Sequence, residues 1–271
     1  MTAAHANPNA APNAPGASAS PSPAAPDSPA ARAAPSNADA PLPQHIRDGV
    51  FVVIAAYNET QTLPAVVAEL RHLYDNVVVV DDGSHDATFH AARRCARYVL
   101  RHAVNRGQGA ALQTGIDFAL LHDARYVVTF DADGQHRPED IAALLQPILA
   151  GRAEIALGSR FLSGAPESIP LSRRLVLKLA VLFTRLVNGV KLTDAHNGLR
   201  CFSRSAAERI HISADRMAHA SEIIDLIRDT GLPYTEVPVT IRYTDYSLAK
   251  GQSSLAALRI MIHYIVGRLF D

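Results

Sequence analysis

The chain has no surplus of either charge: its 271 residues carry 26 Lys and Arg against 26 Asp and Glu. A balanced chain removes the main electrostatic argument for nucleic acid or for strongly acidic partners. Cysteine is scarce. Cys95 and Cys201 show no metal-site spacing and read as reduced thiols in a cytosolic protein. No run of 18 apolar residues occurs, so no segment is expected to span a membrane. G-x-S-x-G, H-E-x-x-H and G-x-x-x-x-G-K-[ST] are also missing, and with them the hydrolase, zincin and P-loop chemistries. The 12 histidines are scattered; His136 and His196 lie near acidic residues, but without further ligands at zinc spacing.

Large apolar residues are nearly absent from the first 43 residues, which hold ten of the 17 prolines with many Ala, Ser and Asn. Such a segment cannot bury enough surface to offset its ordering entropy, so residues 1–44 are expected to be a disordered tail. The tail lacks the apolar core of a secretory signal. From Val50 the pattern changes. Val50–Ala55, Val77–Val80, Tyr98–Leu100, Tyr126–Asp131 and Glu154–Gly158 are short β-type runs. Helical stretches alternate with them: Leu63–Leu73 with Pro64 in its first turn, Asp86–Arg97, a stretch from Gly107 to about Leu121, and one begun by Pro138-Glu139-Asp140. This rhythm predicts an α/β domain over residues 45–252, a mostly parallel sheet with helices on both faces. Ligands of such sheets bind beyond the carboxyl ends of the strands. Tyr57-Asn58-Glu59, Asp81-Asp82 and Asp131-Ala132-Asp133 fall at three such ends.

Asp131 and Asp133 sit at positions i and i+2 on the end of an apolar run, so both can leave the strand tip on one side. Two converging carboxylates repel unless a positive charge lies between them. A hard divalent cation, Mg2+ or Mn2+, meets that need and keeps positions open for phosphate oxygens. The plainer alternative is a strand ending in a turn with solvated acids. Gly107-Gln108-Gly109 opens a helix after a strand, but the third glycine of a dinucleotide loop would fall at Leu112. A close-packed helix start with free N–H groups near an anionic ligand fits that segment better.

Five motifs then stand in order: Val53-Ile54-Ala55-Ala56-Tyr57-Asn58-Glu59, Val79-Val80-Asp81-Asp82-Gly83-Ser84, Asn105-Arg106-Gly107-Gln108-Gly109, Phe130-Asp131-Ala132-Asp133-Gly134-Gln135-His136 and Gly158-Ser159-Arg160-Phe161. This series resembles the family 2 glycosyltransferases, and within them the dolichol-phosphate mannosyltransferase and polyprenol-phosphate glycosyltransferase branch. The resemblance implies a GT-A fold, a nucleotide-sugar donor, a divalent metal and an inverting displacement. It implies Ala55 (where many relatives carry proline), Tyr57 and Glu59 in the nucleoside pocket. Asp82 would accept hydrogen bonds from the base, with Val80 packing beside it. Asp131 and Ala132 would lie on the donor side, and Asp131, Asp133 and Gln135 would hold the metal. Gln108 stands where lysine is frequent in the family.

For the acceptor, the resemblance implies Arg160 and Arg173 on the phosphate of a polyprenyl carrier, a task suited to arginine's planar fork. Arg242 and Lys250 fall in a segment that closes over the diphosphate in relatives. Asp194 would be the general base for a hydroxyl acceptor, or would orient acceptor or donor sugar if the acceptor is a phosphate. A GT-A transferase acting on a sugar hydroxyl stays open as an alternative, and the apolar stretch Leu175–Val190, interrupted by Lys178 and Arg185, reads either as an interfacial helix or as a plain core helix. In residues 253–271, Leu255, Leu258, Ile262, Ile265, Val266 and Leu269 recur at helical spacing among Arg259, His263 and Arg268. An amphipathic helix results, either packed on the sheet or lying on a membrane surface. The expected setting is the cytoplasmic face of a membrane, peripherally, with a separate transmembrane protein as partner.

Overall fold

The structure, a computed structural model, describes residues 42–162, 192–194, 197–213 and 219–242. Strands β1 (Val50–Ala56), β2 (Asn76–Asp81), β3 (Tyr98–Arg101), β4 (Tyr126–Asp131), β5 (Ile155–Ser159), β6 (Arg200–Ser203) and β7 (Tyr234–Pro238) form one sheet of seven strands in the order β3-β2-β1-β4-β6-β5-β7. β1 pairs in parallel with β2 and β4, as does β2 with β3 and β5 with β7. Only β6 runs antiparallel, to both β4 and β5. The expected α/β sheet is therefore present, with one reversed strand.

The valine-rich runs explain the centre of the sheet. β2 is buried along its whole length and β1 nearly so, because both faces are covered. Alternate residues feed opposite sides. Val52, Ile54, Val79 and Phe130 pack with Leu63, Val67 and Leu70 of α2 (Leu63–Arg71) and with Ile141, Leu144 and Leu145 of a second helix, Asp140–Leu149. Val53, Val78, Val80 and Val127 pack against Leu112 and Ile116 of the helix Gln108–Leu121. In chain order these helices follow α1 (Gln44–Arg47): α2, α3 (Thr88–Cys95), α4 (Gln108–Leu121), α5 (Asp140–Leu149), α6 (Arg204–Arg209) and α7 (His219–Thr230). Each fully buried Val, Leu or Ile contributes about 1.5–3 kcal/mol. α4 packs against β1 at Gly115, where a Cβ would lie 2.2 Å from Val53 Cγ1.

β6, α6, α7 and β7 were not anticipated. β6 has four residues, too few for a readable alternation, and β7 is an edge strand bracketed by Pro233 and Pro238. Arg173, Lys250, the stretch Leu175–Val190, the helix expected at 253–271 and nearly all of the tail lie outside the described residues. No helix among the described residues is long and apolar enough to cross a membrane.

Candidate active site

The register brings three strand tips together. Ala55 of β1 pairs with Val80 of β2 on one side and with Asp131 of β4 on the other. Parallel strands lie about 4.8 Å apart, so the segments leaving these tips share one edge of the sheet. The loop after β1 turns at Asn58, whose φ of 55° is a left-handed conformation that asparagine tolerates. Its N–H donates to Ser84 Oγ at 3.0 Å, and its Oδ1 accepts from the His85 N–H at 3.0 Å. The Glu59 N–H donates to Thr88 Oγ1, and Thr60 Oγ1 donates to Asp86 at 2.6 Å. Burial works to raise the Asp86 carboxyl, but hydrogen bonds from Thr60 and Thr88 prevail and hold it down at about 2. The loops after β1 and β2 are thus one fastened unit. On it stands the Tyr57 ring, 38% exposed and edge-on to His85 with centroids 6.3 Å apart. Ala55 is half-buried, and Glu59 Oε2 accepts from Thr62 Oγ1 at 3.1 Å.

Asp82 lies beneath the loop that opens α4. Its Oδ1 accepts from the Arg106 N–H at 2.9 Å and meets His102 Nδ1 at 2.7 Å; its Oδ2 accepts from the Gly107 N–H at 2.7 Å. This buried carboxylate, engaged at both oxygens, anchors the loop that opens α4. Val80 is likewise buried in the core on the α4 side. α4 covers Val80 within the strand, and the loop that opens α4 covers Asp82 just beyond it.

At the end of β4 the acidic pair is assembled. Asp131 Oδ2 meets His136 Nε2 at 2.9 Å, and its Oδ1 accepts from Gln108 Nε2 at 3.2 Å. Asp133 Oδ1 accepts the Gln135 N–H at 3.0 Å, a local turn that fixes the carboxylate two residues past the strand. Burial, and then the neighbouring Asp131 charge, push the Asp133 carboxyl above the ordinary carboxylate range. This is the signature of two anions held close and partly dried, the condition that a divalent cation relieves. Among the described residues no set of three His, Cys, Asp and Glu side chains is grouped around a metal position. Two carboxylates with phosphate and water oxygens completing the shell are nonetheless what Mg2+ or Mn2+ accepts in nucleotide sites, so the donor set fits. Gln135 is half-buried beside Asp133, and its carbonyl accepts the Arg242 N–H at 2.8 Å. The Arg242 guanidinium turns the other way, pairing with Glu69 at 2.8 Å.

Beyond β5, Arg160 and Asp194 come together instead of serving separately. Arg160 Nε and Nη2 donate to the two Asp194 oxygens at 2.6 and 3.3 Å, and the Arg160 N–H adds a third bond at 3.2 Å. The side chains are 19% and 3% exposed. Glu236 on β7 fastens this corner by accepting the Thr193 and Asp194 N–H groups at 2.8 and 3.0 Å, while burial raises its carboxyl above the usual range.

Sequence reasoning gave Glu236 no notice and assigned Arg200, His136 and Gln108 no place in the site. Arg200, at the start of β6, is almost wholly buried; desolvation lowers it to about 10, against the opposing pull of Asp131 and Asp194, so it stays charged at neutral pH. Its signal was available: a lone cation opening the apolar run Cys201-Phe202. Glu236 gave no comparable sign within Tyr-Thr-Glu-Val-Pro.

Comparison with known proteins gives the family and the fold. The model of Glycosyl transferase family 2 matches residues 51–210. The UDP-N-acetylglucosamine–dolichyl-phosphate N-acetylglucosaminyltransferase of Methanococcus voltae is 33% identical over 82% of this chain and 98% of its own. The polyprenol monophosphomannose synthase of Mycolicibacterium smegmatis is 34% identical over 75% of this chain and 81% of its own. Among solved structures, glucosyl-3-phosphoglycerate synthase from Mycobacterium tuberculosis, in complex with Mn2+, UDP and glucosyl-3-phosphoglycerate, superposes with a TM-score of 0.62. It covers 81% of this chain and 78% of that one at 20% identity, a likeness of fold. The chain is therefore a member of glycosyl transferase family 2, a glycosyltransferase built on the GT-A fold.

Proposed function

We propose that the enzyme moves a sugar from a nucleotide-sugar donor, with inversion, onto the phosphate of a polyprenyl lipid, with Mg2+ or Mn2+ at Asp131 and Asp133. The observation that carries the acceptor half is the state of Asp194. A hydroxyl acceptor needs a base within hydrogen-bond reach of its proton. Asp194 is buried and locked to Arg160 through both oxygens, so taking a proton would break an internal ion pair. A phosphate acceptor is already ionised and needs no such base. The names of the two curated relatives above, both transferases to polyprenyl or dolichyl carriers, support the same reading.

On the donor side, Ala55, Tyr57 and Glu59 form the nucleoside wall, with the exposed Tyr57 ring as its aromatic face. Asp82 acts from below, holding the Arg106 and Gly107 amides that lead into α4. The unpaired N–H groups of a helix start favour an anion such as diphosphate. Gln108 links that start to Asp131. When bound by Asp131, Asp133 and Gln135, the metal would supply charge neutralisation for the departing diphosphate. Arg160, with Arg173, takes the acceptor phosphate, and Arg242 and Lys250 belong to the segment flanking the donor. A polyprenyl carrier keeps its phosphate at headgroup level. The enzyme therefore works peripherally at the cytoplasmic face of a membrane, beside a separate membrane protein.

The test is transfer of labelled sugar from a panel of UDP-, GDP- and dTDP-sugars into vesicles containing undecaprenyl phosphate, in the presence of Mn2+. Lipid-extractable label that disappears with chelator is expected. Label entering only water-soluble hydroxyl acceptors would overturn the proposal.

A further inference from the structure

We infer that His136 and Gln108 are positioning residues for the metal: they clasp the two oxygens of Asp131 and set that carboxylate for the cation before it arrives. The inference rests on the metal position proposed above. His136 Nε2 lies 2.9 Å from Asp131 Oδ2, and Gln108 Nε2 donates to Oδ1 at 3.2 Å. A carboxylate only accepts, so the hydrogen of the histidine contact is on Nε2. Backbone closes a third side: a Cβ on Gly198 would stand 2.1 Å from Oδ2 and 2.6 Å from Oδ1. Three separate segments thus fix one carboxylate: the turn after β4, the first residue of α4 and the stretch leading into β6. Asp133 takes its bond within its own turn, from the Gln135 N–H at 3.0 Å, so the spacing of the acidic pair depends on how Asp131 is held.

Packing alone does not explain a histidine at 136. The ring is 4% exposed and stands edge-on to Phe130, with centroids 5.5 Å apart, a neighbour that an apolar ring would suit as well. Its Nδ1 is buried with no hydrogen-bond partner among the described residues, a cost that an apolar ring would avoid. The bond from Nε2 to Asp131 offsets that cost. A tight turn brings the ring back to the strand tip: Gly134 takes a φ of 77°, where a side chain would be strained, and Asp133 Oδ1 accepts the Gln135 N–H. Gln108 reaches the other oxygen without a formal charge, so it orients Oδ1 and leaves in place the negative charge that draws a divalent cation. Ligands of metals are held by such outer hydrogen bonds, and losing one weakens binding about 10–100-fold.

The experiment measures Mn2+ binding to the full chain from the paramagnetic resonance signal of free Mn2+, with UDP and GDP tested in parallel. His136→Phe keeps an aromatic ring and removes the donor, and its Mn2+ affinity should fall about 10–100-fold. His136→Gln gives up the ring but returns an N–H at the reach of Nε2, so it should bind Mn2+ more tightly than His136→Phe does. A merely structural role predicts the reverse order, because only phenylalanine retains the contacts of the ring. Gln108→Leu removes the second bond and should also weaken binding. Wild-type affinity in His136→Phe, or the reverse order of the two variants, overturns the inference alone. If circular dichroism shows either His136 variant unfolded, Gln108→Leu decides: weaker binding supports the clasp, and wild-type affinity overturns it. A wild type that binds no Mn2+ with either nucleotide removes the metal position and this inference with it.

Discussion

Gly198→Ala tests how closely the segment before β6 packs on the acidic pair. A Cβ at this position would meet Asp131 Oδ2 at 2.1 Å and its Cγ and Oδ1 at 2.6 Å, distances that no real contact tolerates. The carboxylate is the movable partner, so it swings aside and gives up His136 at 2.9 Å and Gln108 at 3.2 Å. A hydrogen bond to a charged group contributes about 1.5–3 kcal/mol. Asp131 is about one-third exposed, and water recovers part of that loss. A net destabilisation of about 2 kcal/mol follows, which for a domain of this size lowers Tm by about 4–8 °C. Displacing a carboxylate at a metal position should weaken Mn2+ binding about 10–100-fold. Thermal melting of the metal-free protein and the paramagnetic resonance signal of free Mn2+ read the two effects separately. Unchanged Tm together with unchanged Mn2+ affinity would refute the packing of Gly198 on Asp131.

Three further outcomes follow from the same geometry. Asp133→Asn removes a charge that burial and Asp131 disfavour; a raised carboxyl costs stability above its ordinary range. At pH 7 the metal-free variant should therefore melt higher than wild type, while the stabilisation gained from Mn2+ disappears. Arg160→Ala strands Asp194 in the interior and should cost about 3–5 kcal/mol by urea unfolding, with part recovered in Arg160→Ala/Asp194→Ala. Asp86 is held at about 2, so its stabilisation is complete above the unfolded carboxylate range near 4 and is lost as pH falls through 2. The difference in urea midpoint between wild type and Asp86→Ala should be present at pH 6 and vanish across that interval.

The first half of the fold was legible because Val50–Ala56, Asn76–Asp81 and Tyr126–Asp131 are continuous apolar runs that only a sheet covered on both faces can bury. Polar residues interrupt those runs at the tips, and the tips converge as parallel pairing demands. The roles of individual carboxylates were less legible. Asp82 and Asp131 both stand where a valine-rich run gives way to a loop. Only the tertiary approach of α4 buries Asp82 beneath the Arg106 and Gly107 amides while leaving Asp131 partly exposed. Arg160 and Asp194, 34 residues apart, pair because Glu236 on β7 pulls the Thr193–Asp194 corner against the end of β5. No local pattern encodes that contact. The burial of Arg200 was illegible for a related reason: β6 runs between β4 and β5, antiparallel to both, a pairing that no local pattern encodes.

The choice of an ionised acceptor is tested most directly by offering two lipids that differ only there. Undecaprenyl phosphate and undecaprenol, in matched vesicles with Mn2+ and the donor that stabilises the protein, are compared by mass spectrometry of the lipid product. With Asp194 committed to Arg160 and no hydroxyl proton to remove from a phosphate, sugar should add to undecaprenyl phosphate alone. Comparable glycosylation of undecaprenol would mean that a base does operate in this site, and would contradict the proposed reaction.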